Sequence, residues 1–385
     1  MKDHTSVETV LTNAAIVTPE AVVNGSLLIR DGEIADVSAG NSAAPDALDF
    51  EGDFLIPGLV ELHTDNLERH LQPRPGVEWP RRAAVAAHDG EFISVGVTTV
   101  FDALRVGSMT AEGIGDYAAE AAAAADALRG LGLLKADHYI HLRCEICSPN
   151  LVSEFDRVGL DPRLRLISLM DHTPGQRQFA KEEKLREYYQ GKKGLSDQEM
   201  DAFIASAKDY QTKWAVPNQT TLLERVKGSE PPIAIASHDD ATLQHAQESA
   251  EAGATIAEFP TTTEAARESR AKGMAVLMGA PNILRGFSHS GNVSAMELAA
   301  EGLVDILSSD YAPASLMLGA FKLAEDAGYT LPAAIATVTK TPAEVTGLAD
   351  RGAILPGRKA DLARVYRAER LCVTRAAWRD GHRVA

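Results

Sequence analysis

Leu55-Ile56-Pro57-Gly58-Leu59-Val60-Glu61-Leu62-His63-Thr64-Asp65-Asn66-Leu67-Glu68-Arg69-His70 is an apolar run that ends abruptly in side chains able to grip a metal. Pro57-Gly58 marks a turn or bulge, and residues 59–62 continue an apolar run too short for a helix. Side chains alternate along an extended chain, so His63 and Asp65 face the same way. An imidazole and a carboxylate two residues apart at a strand end offer a divalent ion two ligands. Taken alone, a capped strand end with a solvated aspartate is the better reading. The rest of the chain supplies the partners.

Working outward, residues 54–312 alternate strand and helix, the pattern of an α/β parallel sheet. The strands expected are 54–65, 97–104, 136–146, 164–172, 232–238, 254–260, 275–281 and 304–310. Eight strands over about 250 residues is the count of a (β/α)8 TIM-like barrel, with a doubly wound sheet as the alternative. Short strands with turn chemistry flank it. Ser26–Arg30, Asp31-Gly32 and 33–37 read as a hairpin, and 373–385 as a second one around Asp380-Gly381. Each is too thin for its own core, so the two ends are expected to pack together as one small β-sandwich. The division is then 1–53 plus 345–385 for the sandwich and 54–344 for the barrel. A charged insertion at 181–227 reads as two helices around Gly191-Lys192-Lys193-Gly194, either a lid or a dimer arm.

Composition sets limits. Of 385 residues, 45% are hydrophobic and 24% charged, normal for a globular protein with a full core. No apolar run approaches the roughly 18 residues of a membrane span. Three cysteines rule out a disulfide framework, and Cys144 and Cys147 read as small buried residues, so the cytoplasm is expected. A net charge of −16 argues against nucleic acid and anionic membranes as partners. It leaves room for a small anionic substrate, because metal ions and a few arginines reverse the field locally.

A barrel enzyme keeps its chemistry at the C-terminal strand ends. Those ends carry His63, Asp65, Asp102, then His141, Arg143 and Glu145 on one face, then His172, His238 and Asp310. A lone histidine is usually a satisfied core residue, but histidine or carboxylate at five or more strand ends is harder to dismiss. His63, Asp65, Glu145, His172, His238 and Asp310 suit two divalent ions (zinc, manganese or iron), with Glu145 bridging them. Asp310 is then the general base, handing its proton to the leaving group.

At this point the chain resembles the amidohydrolase superfamily, whose usual first-strand His-x-His is here His63-Thr64-Asp65. The departure matches the branch that acts in phosphonate degradation by the carbon–phosphorus lyase pathway. That likeness is carried by Pro57–Glu68, His141-Leu142-Arg143-Cys144-Glu145, 168–179, Ser237-His238-Asp239-Asp240, Ala257-Glu258-Phe259, 277–282, Ser288–Asn292 and 306–311. It implies a diphosphatase that releases pyrophosphate from α-D-ribose 1-methylphosphonate 5-triphosphate and leaves the 5-phosphate. Arg143, Asn282, Arg285 and His289 are then expected to bind the phosphorylated sugar, with Arg69, Arg74, Arg177, Tyr189 and Lys192 of second rank. The rivals are a deaminase or cyclic amidase with a similar centre, and a metal-free assembly protein. A homodimer is expected from the insertion. In relatives the two lone histidines stand on the fifth and sixth strands. Here the count gives the fourth and fifth, so either a strand near 150–157 is uncounted or this branch differs.

Overall fold

The chain crosses between two sheets at Gly58. The computed structural model describes residues 8–108, 117–177, 186, 196–288 and 291–385. His289, Tyr189, Lys192 and the glycine–lysine turn of the insertion lie outside the described residues. Strand β5 (Phe54–Pro57) pairs with β1 (Glu8–Val17) and β14 (Leu362–Ala368), whereas β6 (Leu59–Thr64) pairs with β7 (Val97–Val106). The single strand expected over 54–65 is therefore two strands in different sheets. Pro57 has no N–H for a ladder. Gly58 passes so near β7 that a Cβ there would stand 2.1 Å from Thr98 Oγ1. Its own N–H donates to Asp361 O at 2.8 Å, which fixes the crossing point.

The terminal strands form one continuous sheet. Its order is β16 (His382–Arg383), β15 (Leu371–Arg379), β14, β5, β1, β2 (Val22–Arg30) and β3 (Glu33–Ala39), with β4 (Leu48–Asp49) beside β1. Both expected hairpins form, with Asp31-Gly32 and Asp380-Gly381 at positive φ as their tight turns require. Leu11, Ile16, Leu27, Leu55 and Leu362 bury one face together, and Phe50 stacks on Trp378 at 5.8 Å. Each such fully buried aliphatic side chain is worth about 1.5–3 kcal/mol.

The second sheet runs in sequence order from β6 through β7, β8 (Asp137–Glu145), β9 (Leu164–Met170), β10 (Ala234–His238), β11 (Ile256–Glu258), β12 (Ala275–Gly279) and β13 (Ile306–Ser308), all parallel. A parallel bridge between Thr64 and Asp310 closes it into a barrel. Val60, Leu62, Phe101, Leu166, Ala236, Ile256, Leu277 and Ile306 fill the interior. Residues Leu151–Val158 are a helix, so no strand was uncounted; His172 follows the fourth barrel strand and His238 closes the fifth. Among the described residues, no helix is long and apolar enough to cross a membrane.

Asp102 is not at the mouth. It faces outward from β7 toward the helix Arg81–Ser94, in a buried polar cluster. His138 Nδ1 lies 3.0 Å from Asp102 Oδ2 and its Nε2 3.2 Å from Asp89 Oδ1, while His88 Nε2 lies 2.9 Å from Asp102 Oδ1. Burial disfavours the His138 imidazolium, but two carboxylates outweigh it and raise the pKa from 6.5 to about 9. A group raised in the folded state stabilises fully below its unfolded pKa and loses that contribution as pH climbs through the folded one. We expect the urea midpoint to fall between pH 6.5 and about 9. The full difference is on the order of 3 kcal/mol, and His138→Gln should flatten the profile.

Candidate metal centre

The seam that closes the barrel also assembles the site. Asp65 N donates to Asp310 O at 2.9 Å and Asp310 N to His63 O at 3.1 Å, so the first and eighth strand ends are locked side by side. Asp239, Phe259 and Asp310, each just past a strand end, adopt positive φ of 56°, 53° and 54°. Non-glycine residues in that region carry strain, and such strain clusters where side chains must be aimed. A cavity of about 380 Å³ opens there, with His63, Asp65, Arg143, His172, His238 and Asp310 in its wall.

Two histidines are held from behind by carboxylates. His172 Nδ1 is 2.6 Å from Glu145 Oε2, and His238 Nδ1 is 3.2 Å from Glu258 Oε2. With the carboxylate oxygen as acceptor in each contact, the ring hydrogen sits on Nδ1, and in the neutral ring that leaves the lone pair on Nε2. Both Nε2 atoms converge on Asp239 Oδ2, at 3.9 Å from His172 and 3.4 Å from His238. That oxygen is buried and has no hydrogen-bond partner. An unsatisfied buried carboxylate oxygen is costly, and two imidazole lone pairs beside it make the donor set of a divalent cation. Glu145 was expected as a bridging ligand; here it sits behind His172, orienting that ring.

The expected pairing of His63 with Asp65 takes another form. His63 Nδ1 lies 3.1 Å from Glu258 Oε1, and Asp65 instead forms an ion pair with the Arg143 guanidinium. Asp65 also ends the strand and begins the helix Asn66–Leu71. Burial alone would raise the Glu258 carboxyl, but the His63 and His141 imidazoles outweigh it and hold it well below the usual range. His141, on the ligand face of β8, does not reach the cavity. Its Nδ1 meets Leu62 O at 2.8 Å, its Nε2 meets the Ser168 hydroxyl, and burial pushes its pKa down to about 3.

The insertion braces this arrangement. Helix Asp197–Val226 begins with a capping box at Ser196 and Glu199. Its Gln211 donates to Asp171 Oδ2 at 2.6 Å, and its Asn218 to Ile146 O and Ser148 O at 2.8 Å each. Asp171, beside His172, also accepts from Thr173 N and Gln176. Arg177 donates to His238 O and pairs with Asp240, a structural role. Arg69 pairs with Glu91. Cys144 and Cys147 are both buried, the second against Asp171.

At the mouth, Arg285 is exposed and lies over the Phe287 ring at 4.6 Å. Asn282 lines the cavity while its amide ties residues 293–295 back to the helix Ala280–Arg285. Sequence reasoning gave no role to Asp239 or Glu258. The signal for Asp239 was its place directly after a strand-end histidine. For Glu258 it was a single acid closing a short apolar strand.

Residues 82–380 match the sequence model of the amidohydrolase family. The alpha-D-ribose 1-methylphosphonate 5-triphosphate diphosphatase of Escherichia coli (strain K12) is 45% identical over 378 residues, covering 97% of this chain and 100% of that protein. Among solved structures, N-acetyl-D-glucosamine-6-phosphate deacetylase from Mycobacterium smegmatis superposes with a TM-score of 0.63 at 17% identity, covering 98% of this chain and 100% of the other. The 5-methylcytosine deaminase from Klebsiella pneumoniae gives 0.63 at 16%, covering 98% of each chain. At that identity the two structures share the fold alone.

Glu258 accepts from two rings at once, so removing its charge should loosen both. Glu258→Gln is expected to keep the fold by circular dichroism. Its divalent-metal affinity should fall about 10–100-fold in a calorimetric titration of the metal-free protein.

Proposed function

The chain belongs to the amidohydrolase family, and on that footing we propose that it hydrolyses α-D-ribose 1-methylphosphonate 5-triphosphate, releasing pyrophosphate and leaving the 5-phosphate. The observation that carries this is the 45% identity to the Escherichia coli diphosphatase, which extends over the whole of that protein. The cavity supports the same reading, since two arginines face it beside histidines and carboxylates, as a polyanion held near a cation requires.

His172, His238 and Asp239 would hold a divalent cation, and nitrogen with oxygen donors suits zinc, manganese or iron. Such an ion supplies Lewis acidity toward a phosphoryl oxygen and acidifies water. The protein groups do the rest. Asp310, fixed at the seam, takes a proton from the attacking water and returns it to the departing pyrophosphate oxygen. Water oxygen bonds to the α-phosphorus as the α–β anhydride bond breaks. Arg143 lies inward to meet the charge on the phosphoryl group, and Arg285 at the rim meets the outer phosphates. Phosphoryl transfer asks chiefly for this positioning and neutralisation. The unpaired thiols support a cytoplasmic setting.

The test follows ³¹P signals in ¹⁸O-labelled water. Label in the sugar 5-phosphate and none in pyrophosphate is expected; label in pyrophosphate would move the attack to the β-phosphorus, and no phosphate product at all would sink the reading. Asp310→Asn should lower kcat by about 10²–10⁴. Arg285→Ala should act mainly on KM, raising it about tenfold for the triphosphate with a smaller effect on kcat.

A further inference from the structure

We propose that the chain holds a single divalent cation, on His172, His238 and Asp239, and that the Arg143 guanidinium occupies the place a second cation would take beside His63 and Asp65. This rests on reading the cavity as a metal centre, and it replaces the pair of ions expected from counting strand-end ligands.

The argument is one of donors and their prior commitments. A cation beside the first strand would need the Asp65 carboxylate, and that carboxylate already carries Arg143. Arg143 reaches it from β8, on the inward face shared with His141 and Glu145. Its side chain is only 15% exposed, and its Nε is buried with no partner, so it is enclosed where it stands. Glu68, another acid of that end, accepts the Tyr117 hydroxyl at 2.5 Å. His63 has given Nδ1 to Glu258, which leaves at most one nitrogen. At the first strand end a cation would therefore find one free imidazole nitrogen of His63 and an Asp65 carboxylate already neutralised by Arg143, fewer ready ligands than the three or four a bound ion of this class takes. Displacing the guanidinium would leave two cations close together, with one carboxylate between them.

At His172 and His238 the commitments run the other way. Both rings spend Nδ1 on carboxylates behind them, and their Nε2 atoms approach an orphaned oxygen. A permanently charged planar fork in the second position still meets phosphoryl oxygens, and no chelator can remove it.

Metal content decides the matter without reference to which phosphate ester is hydrolysed. Protein reconstituted with Mn²⁺ and freed of excess ion should contain one equivalent by plasma mass spectrometry, with the electron-spin-resonance pattern of an isolated ion. Two equivalents, or the signal of an exchange-coupled pair, would overturn the proposal. Asp65→Asn should keep the single equivalent; losing it places the ion on the first strand instead. Asp239→Asn and, as a check on folding, His172→Asn should each lose it, and retention in both removes the proposed ligand set. Arg143→Met should admit a second equivalent when titrated with Mn²⁺. A count still fixed at one would show that Arg143 is not what excludes the second ion. One equivalent in a protein that releases no pyrophosphate would sink the proposed function and leave this inference standing.

Discussion

The bridge between Thr64 and Asp310 is the contact on which the site depends. A row of parallel strands carries histidines and carboxylates along one edge, but an open sheet spreads them over its full width. Closing the row puts the first and eighth ends in hydrogen-bond contact, through Asp65 N to Asp310 O and Asp310 N to His63 O. The interior layer from Val60 to Ile306 makes closure favourable, since seven of the eight strands contribute a buried apolar side chain to it, and an open sheet would leave that layer wet. Hydrophobic burial below thus sets the distances between charged groups above.

A second regularity is that side chains at the mouth are held by partners from other strands. Glu145 of β8 stands behind His172, Glu258 of β11 receives both His63 and His238, and Arg143 of β8 holds Asp65. Imidazoles oriented from behind present one lone pair in one direction, the condition for a metal ligand set that does not have to be ordered when the ion binds. The described helix of the insertion joins the same framework through Gln211 and Asn218. This part of the insertion is bound to the barrel it interrupts.

The same residue types serve a different end on the outside of the barrel. His88, Asp102, His138 and Asp89 form a closed hydrogen-bonded set under the helix Arg81–Ser94, with the partnered ring nitrogens of His138 both on carboxylates. Every group there has a hydrogen-bond partner, whereas Asp239 Oδ2 in the cavity has none. Satisfaction separates a structural cluster from a binding one. Two histidines and two aspartates by themselves do not.

Periodicity and turn chemistry determined the barrel, its eight strands, the terminal hairpins and the set of residues at the strand ends. These are local properties: alternation along a strand, Asp-Gly at a tight turn, an acid or a histidine where an apolar run stops. Of the residues named at strand ends, His63, Asp65, Arg143, His172, His238 and Asp310 meet in the cavity wall, since a parallel barrel brings every strand end to one rim. What the sequence left open is which of them face each other. Asp102 was expected at a strand end yet lies inside β7 and points outward, and Asp65 is two residues from His63 yet pairs with Arg143, 78 residues away in the chain. Glu258 and Asp239 gained their roles only when the closed barrel set β10 beside β9 and turned β11 across the interior toward His63. Pairing across strands depends on closure and on the shift in register near Glu61. Those are fixed by packing over the whole barrel, and no local stretch of chain carries them.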